Sequence, residues 1–370
     1  MKVLIDCQHL QLYSFARPGF HGATETYAKK IAAGLADEGH TVHVVAPDLE
    51  DDEQRGERLF YWPPHNHPTR ADLVVMVGSL AGAERYEGDG LVYATNGATL
   101  PDQLTPEIAD LVAAYPVFSK THAKLLCAMN PGIPKDRCVV TGLGVEIDDY
   151  PLDPPKIPGR LLYQNDPARG LWNVLDILEI VQKDYPDASL AVTYDFDRQF
   201  EQHRWRQNAL AEMMWECHRR MATMPNILNR GALDRAGIVA EQLACQIHVM
   251  PSDPNNVGTQ IHGHAQLEAA AAGCALVLSD VEAFPELFAG VADILPVPGQ
   301  YIPDPEGDGR RIDALDYAEI VLDLLRDPEA WTKASKASRK LAERHTWEDV
   351  IGSWLLMLDQ LDAARREDAA

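Results

Sequence analysis

The chain has 370 residues, 46% hydrophobic and 24% charged, with a formal net charge of −23. That length accommodates two domains, and that composition suits packed cores rather than a disordered polymer. So large an acidic excess argues against a broad nucleic-acid footprint or an electrostatic membrane anchor, with local basic exceptions around His203, Arg204, Arg206 and His218-Arg219-Arg220.

From the N-terminus, Met1-Lys-Val-Leu-Ile-Asp6 turns polar too soon for a secretion signal, and no apolar run reaches the length of a membrane span. Six cysteines (Cys7, Cys127, Cys138, Cys217, Cys245, Cys274) show no CxxC pair and read as buried free thiols in a reducing compartment. A cytoplasmic location is the expectation.

Short apolar runs alternate with amphipathic stretches, which predicts an α/β protein with parallel sheets wrapped by helices. Strands are expected at 2–5, 41–45, 73–77, 91–94, 117–118 and 138–141. The first helix begins near Thr24, carries Tyr27, Ile31 and Leu35 on one face, and stops at Gly39. Four prolines between Ile147 and Gly159 predict a stiff linker. The alternation restarts with a strand at 160–164, a helix at 171–183, a strand at 190–193 and one long helix over 198–222. A short apolar pair at 227–228, a helix at 236–245 and a strand at 246–250 follow. Helices occupy the tail from Ala314, the last starting at Thr346 as N-cap. The expected domains are 1–147, a linker over 148–159, 160–345, and a final helix over 346–370.

The segment from Pro251 to Gly273 is the most informative. A strand ends at Pro-Ser, a polar loop follows, and a small-residue helix begins near Gly263 before the strand Cys274-Ala-Leu-Val-Leu278. Such a helix start offers backbone N–H groups and a positive dipole end to an anion, for example a sugar-nucleotide diphosphate. Glu268, about a turn and a half in, would accept hydrogen bonds from ribose hydroxyls.

In order along the chain, these segments resemble the nucleotide-sugar glycosyltransferases of GT-B fold, in particular the retaining group often called family 4. The likeness spans nearly the whole chain. It implies two facing Rossmann-like domains with parallel sheets, and a C-terminal helix, marked by Trp347, that crosses back onto the first domain. Gly22-Ala-Thr-Glu25 matches a Gly-Gly-x-Glu whose backbone lies against the donor diphosphate, with Ala23 in place of the second glycine. Asp166-Pro-Ala-Arg169-Gly170 matches the segment whose basic residue grips the diphosphate. Many members carry an arginine five positions earlier, where this chain has Gln164. The Glu-x7-Glu pattern is met by Glu268, the ribose ligand by resemblance, but its first acid is Gln260 and its Phe-Gly pair is His262-Gly263.

The same resemblance places Asn96 where relatives often have a histidine contacting the acceptor or sugar, and Gly231, with Arg230 beside it, near the nucleotide base. His264 joins His262 as an imidazole near the diphosphate; a metal site would need three or four convergent ligands, and loop packing is an equal alternative for the pair. The loop from Leu10 to His21 holds Tyr13, Phe15, Arg17 and Phe20, a composition suited to stacking on an acceptor, or to packing on itself.

The implied activity is metal-independent, front-face transfer from a nucleotide-diphosphate sugar, UDP-sugar favoured over GDP-sugar, to a hydroxyl of a glycan, lipid-linked or small-molecule acceptor. Arg169, Gln260 and Asn96 stand as its catalytic candidates. Three alternatives stay open: a non-catalytic sugar-nucleotide binder, a sugar-nucleotide epimerase or hydrolase, and a nucleic-acid-modifying glucosyltransferase.

Overall fold

The structure is a computed structural model and describes residues 1–10, 22–95, 97–98, 100, 104–205, 208–252, 261–296 and 313–368. The chain divides into two compact units, Met1–Gly144 with His345–Ala370, and Val145–Arg344.

The first unit holds β1 (Lys2–Asp6), α1 (Ala23–Asp37), β2 (Thr41–Val45), β3 (Glu53–Gln54), β4 (Leu59–Trp62), β5 (Arg70–Ala71), β6 (Leu73–Val77), β7 (Glu87–Gly88), β8 (Leu91–Ala94), α2 (Pro106–Leu111), β9 (Val112–Val117), α3 (Lys120–Met129) and β10 (Cys138–Val140). Eight strands form one sheet in the order β10-β9-β8-β6-β1-β2-β4-β3, parallel except for β3 against β4. Strands β5 and β7 make a separate parallel pair. The central strands are buried and apolar over Val3–Ile5 of β1 and the whole of β6, as a sheet covered on both faces requires.

Helix α1 begins at Gly22, which has no capping side chain; Glu25 compensates, its carboxylate accepting from the Gly22 and Glu25 backbone N–H groups. Tyr27, Ala28, Ile31, Ala32 and Leu35 form its buried stripe. At its end the N–H groups of Gly39 and His40 return to Ala36 and Leu35, with Gly39 at φ 88°.

The second unit holds β11 (Arg160–Tyr163), α4 (Leu171–Asp184), β12 (Ser189–Val192), α5 (Phe196–His203), α6 (Ala209–Thr223), β13 (Ile227–Asn229), α7 (Arg235–Ala244), β14 (Ile247–Met250), α8 (His264–Ala271), β15 (Ala275–Ser279), α9 (Phe284–Phe288), β16 (Asp293–Leu295), α10 (Ala314–Arg326) and α11 (Pro328–Ala342). Its six strands are all parallel, in the order β13-β12-β11-β14-β15-β16. The order reverses between β11 and β14, the switch point at which open parallel sheets leave a crevice beyond their carboxyl ends.

The chain ends in α12 (Trp347–Asp368), which belongs to the first unit. Thr346 and Asp349 cap it reciprocally: the Asp349 N–H donates to Thr346 Oγ1 at 3.2 Å and the Thr346 N–H to Asp349 Oδ2 at 3.3 Å. Trp354, fully buried, donates its indole N–H to Tyr27 Oη at 2.9 Å, and that hydroxyl lies 3.3 Å from Thr141 Oγ1.

Three expectations about elements need correction. The long helix over 198–222 is two helices, α5 and α6, because Asn208 turns its side chain back onto the Ala211 N–H at 3.0 Å and starts a new helix. The strand at 117–118 is the end of the longer β9. Strands β3, β4, β5, β7 and β16 and helices α2, α3 and α9 were not anticipated, most being too short to show a period. Among the described residues no helix is long and apolar enough to cross a membrane.

Candidate functional site

At the carboxyl end of β11 the chain makes a single 3₁₀ turn, Pro167–Arg169, capped by Asp166 through the Ala168 N–H at 2.9 Å. Gly170 follows at φ 134°, and a Cβ there would lie 2.2 Å from the carbonyl oxygen of Pro251. Asn173, in the first turn of α4, donates to the same carbonyl at 3.1 Å. The start of α4 is thereby pinned to the end of β14, which holds Arg169, half-buried, at the carboxyl edge of the sheet. Only glycine permits so close a backbone approach at that angle.

On the other side of the switch point α8 starts at Gly263, φ 103°, with no capping side chain. A Cβ there would press to 3.0 Å on the rings of Phe284 and Phe288. His262 is buried just before it, and His264 opens the helix.

Glu268 is the best-defined member of the site. Its Oε1 accepts from the Arg235 guanidinium, and its Oε2 from Gln164 Nε2 at 3.2 Å and Gln242 Nε2 at 3.3 Å. Gln242 also donates to Gln164 Oε1 at 2.7 Å and accepts from Tyr150 Oη at 2.7 Å, closing a ring of amides around the carboxylate. His264 Nε2 stands 3.9 Å from Oε1, one helical turn back. Burial pushes the Glu268 carboxyl up, but the charges of His264 and Arg235 and the hydrogen bonds more than offset it, so the group lies below the usual range and is ionised at neutral pH. The same burial drives the Tyr150 phenol far up, reinforced by the Glu268 charge.

Of the expected donor residues, Gln164, Arg169, Gly170, His262, Gly263, His264 and Glu268 all sit at the carboxyl ends of β11 and β14, on the segments that follow those strands. Arg230 and Gly231 follow β13, two strands away from β11. Arg230 is occupied by an ion pair with Glu241 at 2.8 Å, and Gly231, at φ 64°, donates its N–H to Asn229 Oδ1 at 3.2 Å. Gly22 and Ala23 open α1 in the first unit, Ala23 exposed. Gln260, Asn96 and the acceptor-side Tyr13, Phe15, Arg17, Phe20 and His21 lie outside the described residues. Near position 96, Gly97 is held through its carbonyl by His122 Nε2 at 3.4 Å, and the Ala98 carbonyl by Asn130 at 2.8 Å.

Sequence reasoning missed Arg235, Gln242 and Tyr150. A signal existed for two of them: Arg235 and Gln242 are seven apart on one helix and therefore share a face. Tyr150 lies inside the proline-rich stretch, where composition spoke only of a linker. Among the described residues no group of His, Cys, Asp and Glu side chains is arranged to hold a metal ion.

No protein-family model matches the sequence, and no curated protein sequence matches it. Solved structures do. A sucrose-phosphate synthase from Thermosynechococcus elongatus superposes with TM-score 0.72 at 15% identity, covering 98% of this chain and 99% of its own. The Anabaena protein HepE, solved in complex with UDP and glucose, gives 0.65 at 16% identity, covering 97% of this chain and 100% of its own. A glycosyltransferase from Rickettsia africae gives 0.66 at 12%, covering 97% and 98%. The chain thus has the GT-B fold along nearly its whole length.

Proposed function

We propose that the chain is a retaining glycosyltransferase that moves a sugar from a nucleotide diphosphate to a hydroxyl acceptor without a metal ion. The observation that carries this reading is Glu268, an ionised buried carboxylate beside an uncapped helix start at the switch point of a parallel sheet. The likeness to a GT-B protein that holds UDP and glucose supports it.

In this reading Glu268 accepts from the ribose hydroxyls. Gly263, His262 and His264 line the diphosphate, and Gln164, Gly170, Arg230 and Gly231 complete the donor shell. The bond from the sugar's anomeric carbon to the diphosphate oxygen breaks as the acceptor oxygen bonds to the same face, and the acceptor proton passes to the departing diphosphate. Arg169 and the α8 amides stabilise the charge that develops on the leaving group, the work a metal would otherwise do. Residues of the first domain, expected over 1–147, supply the rest: Gly22 and Ala23 toward the diphosphate, and Asn96, with Tyr13, Phe15, Arg17, Phe20 and His21, toward the acceptor. Gln260 would hydrogen-bond the donor sugar. We place UDP-sugars ahead of GDP-sugars and the protein in the cytoplasm.

A thermal-shift screen against UDP-, GDP- and ADP-sugars tests this. Ligand at about a hundred times its Kd adds about 2.7 kcal/mol of stability. Arg169→Ala should lose most of the shift and Glu268→Ala part of it; unchanged shifts in both variants would refute the site.

One observation favours a second reading, donor binding without transfer. Where relatives carry a cation, Gln164 is neutral and spends its amide on Glu268. Labelled UDP-sugar that binds but is neither transferred nor hydrolysed would select it.

A further inference from the structure

The Arg235 guanidinium is a three-way fork. Nη1 meets Glu268 Oε1, Nε meets Asp149 Oδ2 at 2.9 Å, and Nη2 meets Tyr150 Oη at 3.2 Å. Its side chain is 43% exposed and that of Glu268 only 7%, so the cation stands at the mouth of the network and the anion inside. A carboxylate offers about four lone-pair positions. The two glutamine amides take both on Oε2, and Arg235 takes one on Oε1. Among the described residues no hydrogen-bond donor takes the fourth position, on the oxygen that His264 Nε2 approaches to 3.9 Å.

We propose that Arg235 is a positioning residue for nucleotide recognition: it keeps the Glu268 carboxylate charged and aimed, so that the remaining Oε1 lone pair accepts a ribose hydroxyl. This rests on the reading of Glu268 as the ribose ligand. Charge matters because a ribose hydroxyl needs an acceptor, and a neutral carboxylic acid would present a proton of its own.

The groups around the carboxylate can be named element by element. From α7 come Arg235 and Gln242, from the end of β11 Gln164, from the start of the proline-rich stretch Asp149 and Tyr150, and from α8 itself His264. On α11 Arg339 is spent on the Tyr150 and Ala271 carbonyls, both at 2.7 Å, and Lys156 bonds the Ala272 carbonyl at 2.7 Å. Among the described residues Arg235 is therefore the cation hydrogen-bonded to the carboxylate. Without it a buried carboxyl retains its desolvation cost and loses its strongest donor, which moves its titration toward neutral pH.

The test is calorimetric binding of UDP to the full chain between about pH 8 and about pH 5.5, a range that brackets neutrality. Wild type, Arg235→Gln, Arg235→Lys, His264→Gln and the double variant Arg235→Gln/Glu268→Gln are compared. Affinities are taken relative to wild type at each pH, which cancels protonation of UDP itself. Arg235→Gln should lose a further factor of about ten on acidification, the loss given by a carboxyl that titrates about one pH unit above the lower end of the range. Arg235→Lys should restore a flat profile, and the double variant should be weak but flat. A flat profile in Arg235→Gln, or a steep one in His264→Gln alone, overturns the proposal. So does tighter UDP binding in Arg235→Gln, which would make the arginine a competitor of the ligand.

If wild type binds no nucleotide, the functional reading falls and unliganded stability decides the role of Arg235. A Glu268 pKa raised above its unfolded value makes Arg235→Gln lose stability relative to the double variant as pH rises from about 5 to about 7. Parallel stability curves would then overturn it.

Discussion

Gly170 and Gly231 both have positive φ, 134° and 64°, yet their surroundings differ. Nothing stands within 4 Å of a Cβ built on Gly231, whereas one on Gly170 would sit 2.2 Å from the Pro251 carbonyl. Gly231→Ala should therefore cost only the left-handed backbone, about 1 kcal/mol. Gly170→Ala adds a backbone collision and should cost at least about 3 kcal/mol. Denaturant midpoints of the two variants check this, and equal losses would show that the turn before α4 is looser than its contact with Pro251 implies. Gly170 stood out in the sequence just past a strand, and Gly231 through its match to a family glycine. What the sequence withheld was the reason for Gly170, since Pro251 is eighty-one positions away. The same holds for Glu268: its spacing from Gly263 and from His264 was legible, while Arg235 and Gln242, which join His264 in keeping it charged, and Gln164 converge on it only through tertiary structure.

At the scale of elements, the contact between α1 and α12 can be broken and mended. A Cβ on Gly34 would lie 2.4 Å from both Cγ1 and Cδ1 of Ile351. Alanine at a helical position gains about 1 kcal/mol over glycine, but an overpacked helix contact costs about 1–3 kcal/mol. Gly34→Ala should lose stability alone and regain it when combined with Ile351→Ala. The double variant is expected to be more stable than the summed single losses by about 1 kcal/mol or more, the usual coupling of residues in contact. Additive losses would mean the helices part rather than press. The α1 stripe and the Thr346 cap were readable locally, because a helix face and a cap are properties of a few successive residues. The split between α5 and α6 was not: the apolar pattern continues through Asn208, and its preference for capping decided the outcome.

For the whole molecule, acid brings two opposed effects. Lowering the pH from neutral relieves the repulsion of a net charge of −23, which favours the compact state. It also begins to protonate histidines that the fold keeps neutral. In the first unit His122 is fully buried, its Nδ1 accepting from the Phe118 N–H at 3.1 Å, and burial lowers it to about 4. In the second unit His248, inside β14, is lowered by burial to about 3. Both start from an ordinary value of 6.5. Between that value and the folded one the unfolded chain binds the extra proton, so stability rises with pH there and falls as pH drops from about 6.5 toward 4. Each histidine contributes a slope approaching 1.4 kcal/mol per pH unit, on the order of 2 kcal/mol lost by pH 5. High salt separates the effects, because at about 1 M the Debye length is near 3 Å and surface repulsion is screened while buried groups are not. In high salt both units should lose stability on acidification. His122→Gln should flatten the pH dependence of the unit built on Met1–Gly144, and His248→Gln that of the unit built on Val145–Arg344. Hydrogen exchange across the pH range reads the two units separately. A flattening of both by either variant would show that the molecule unfolds as one body.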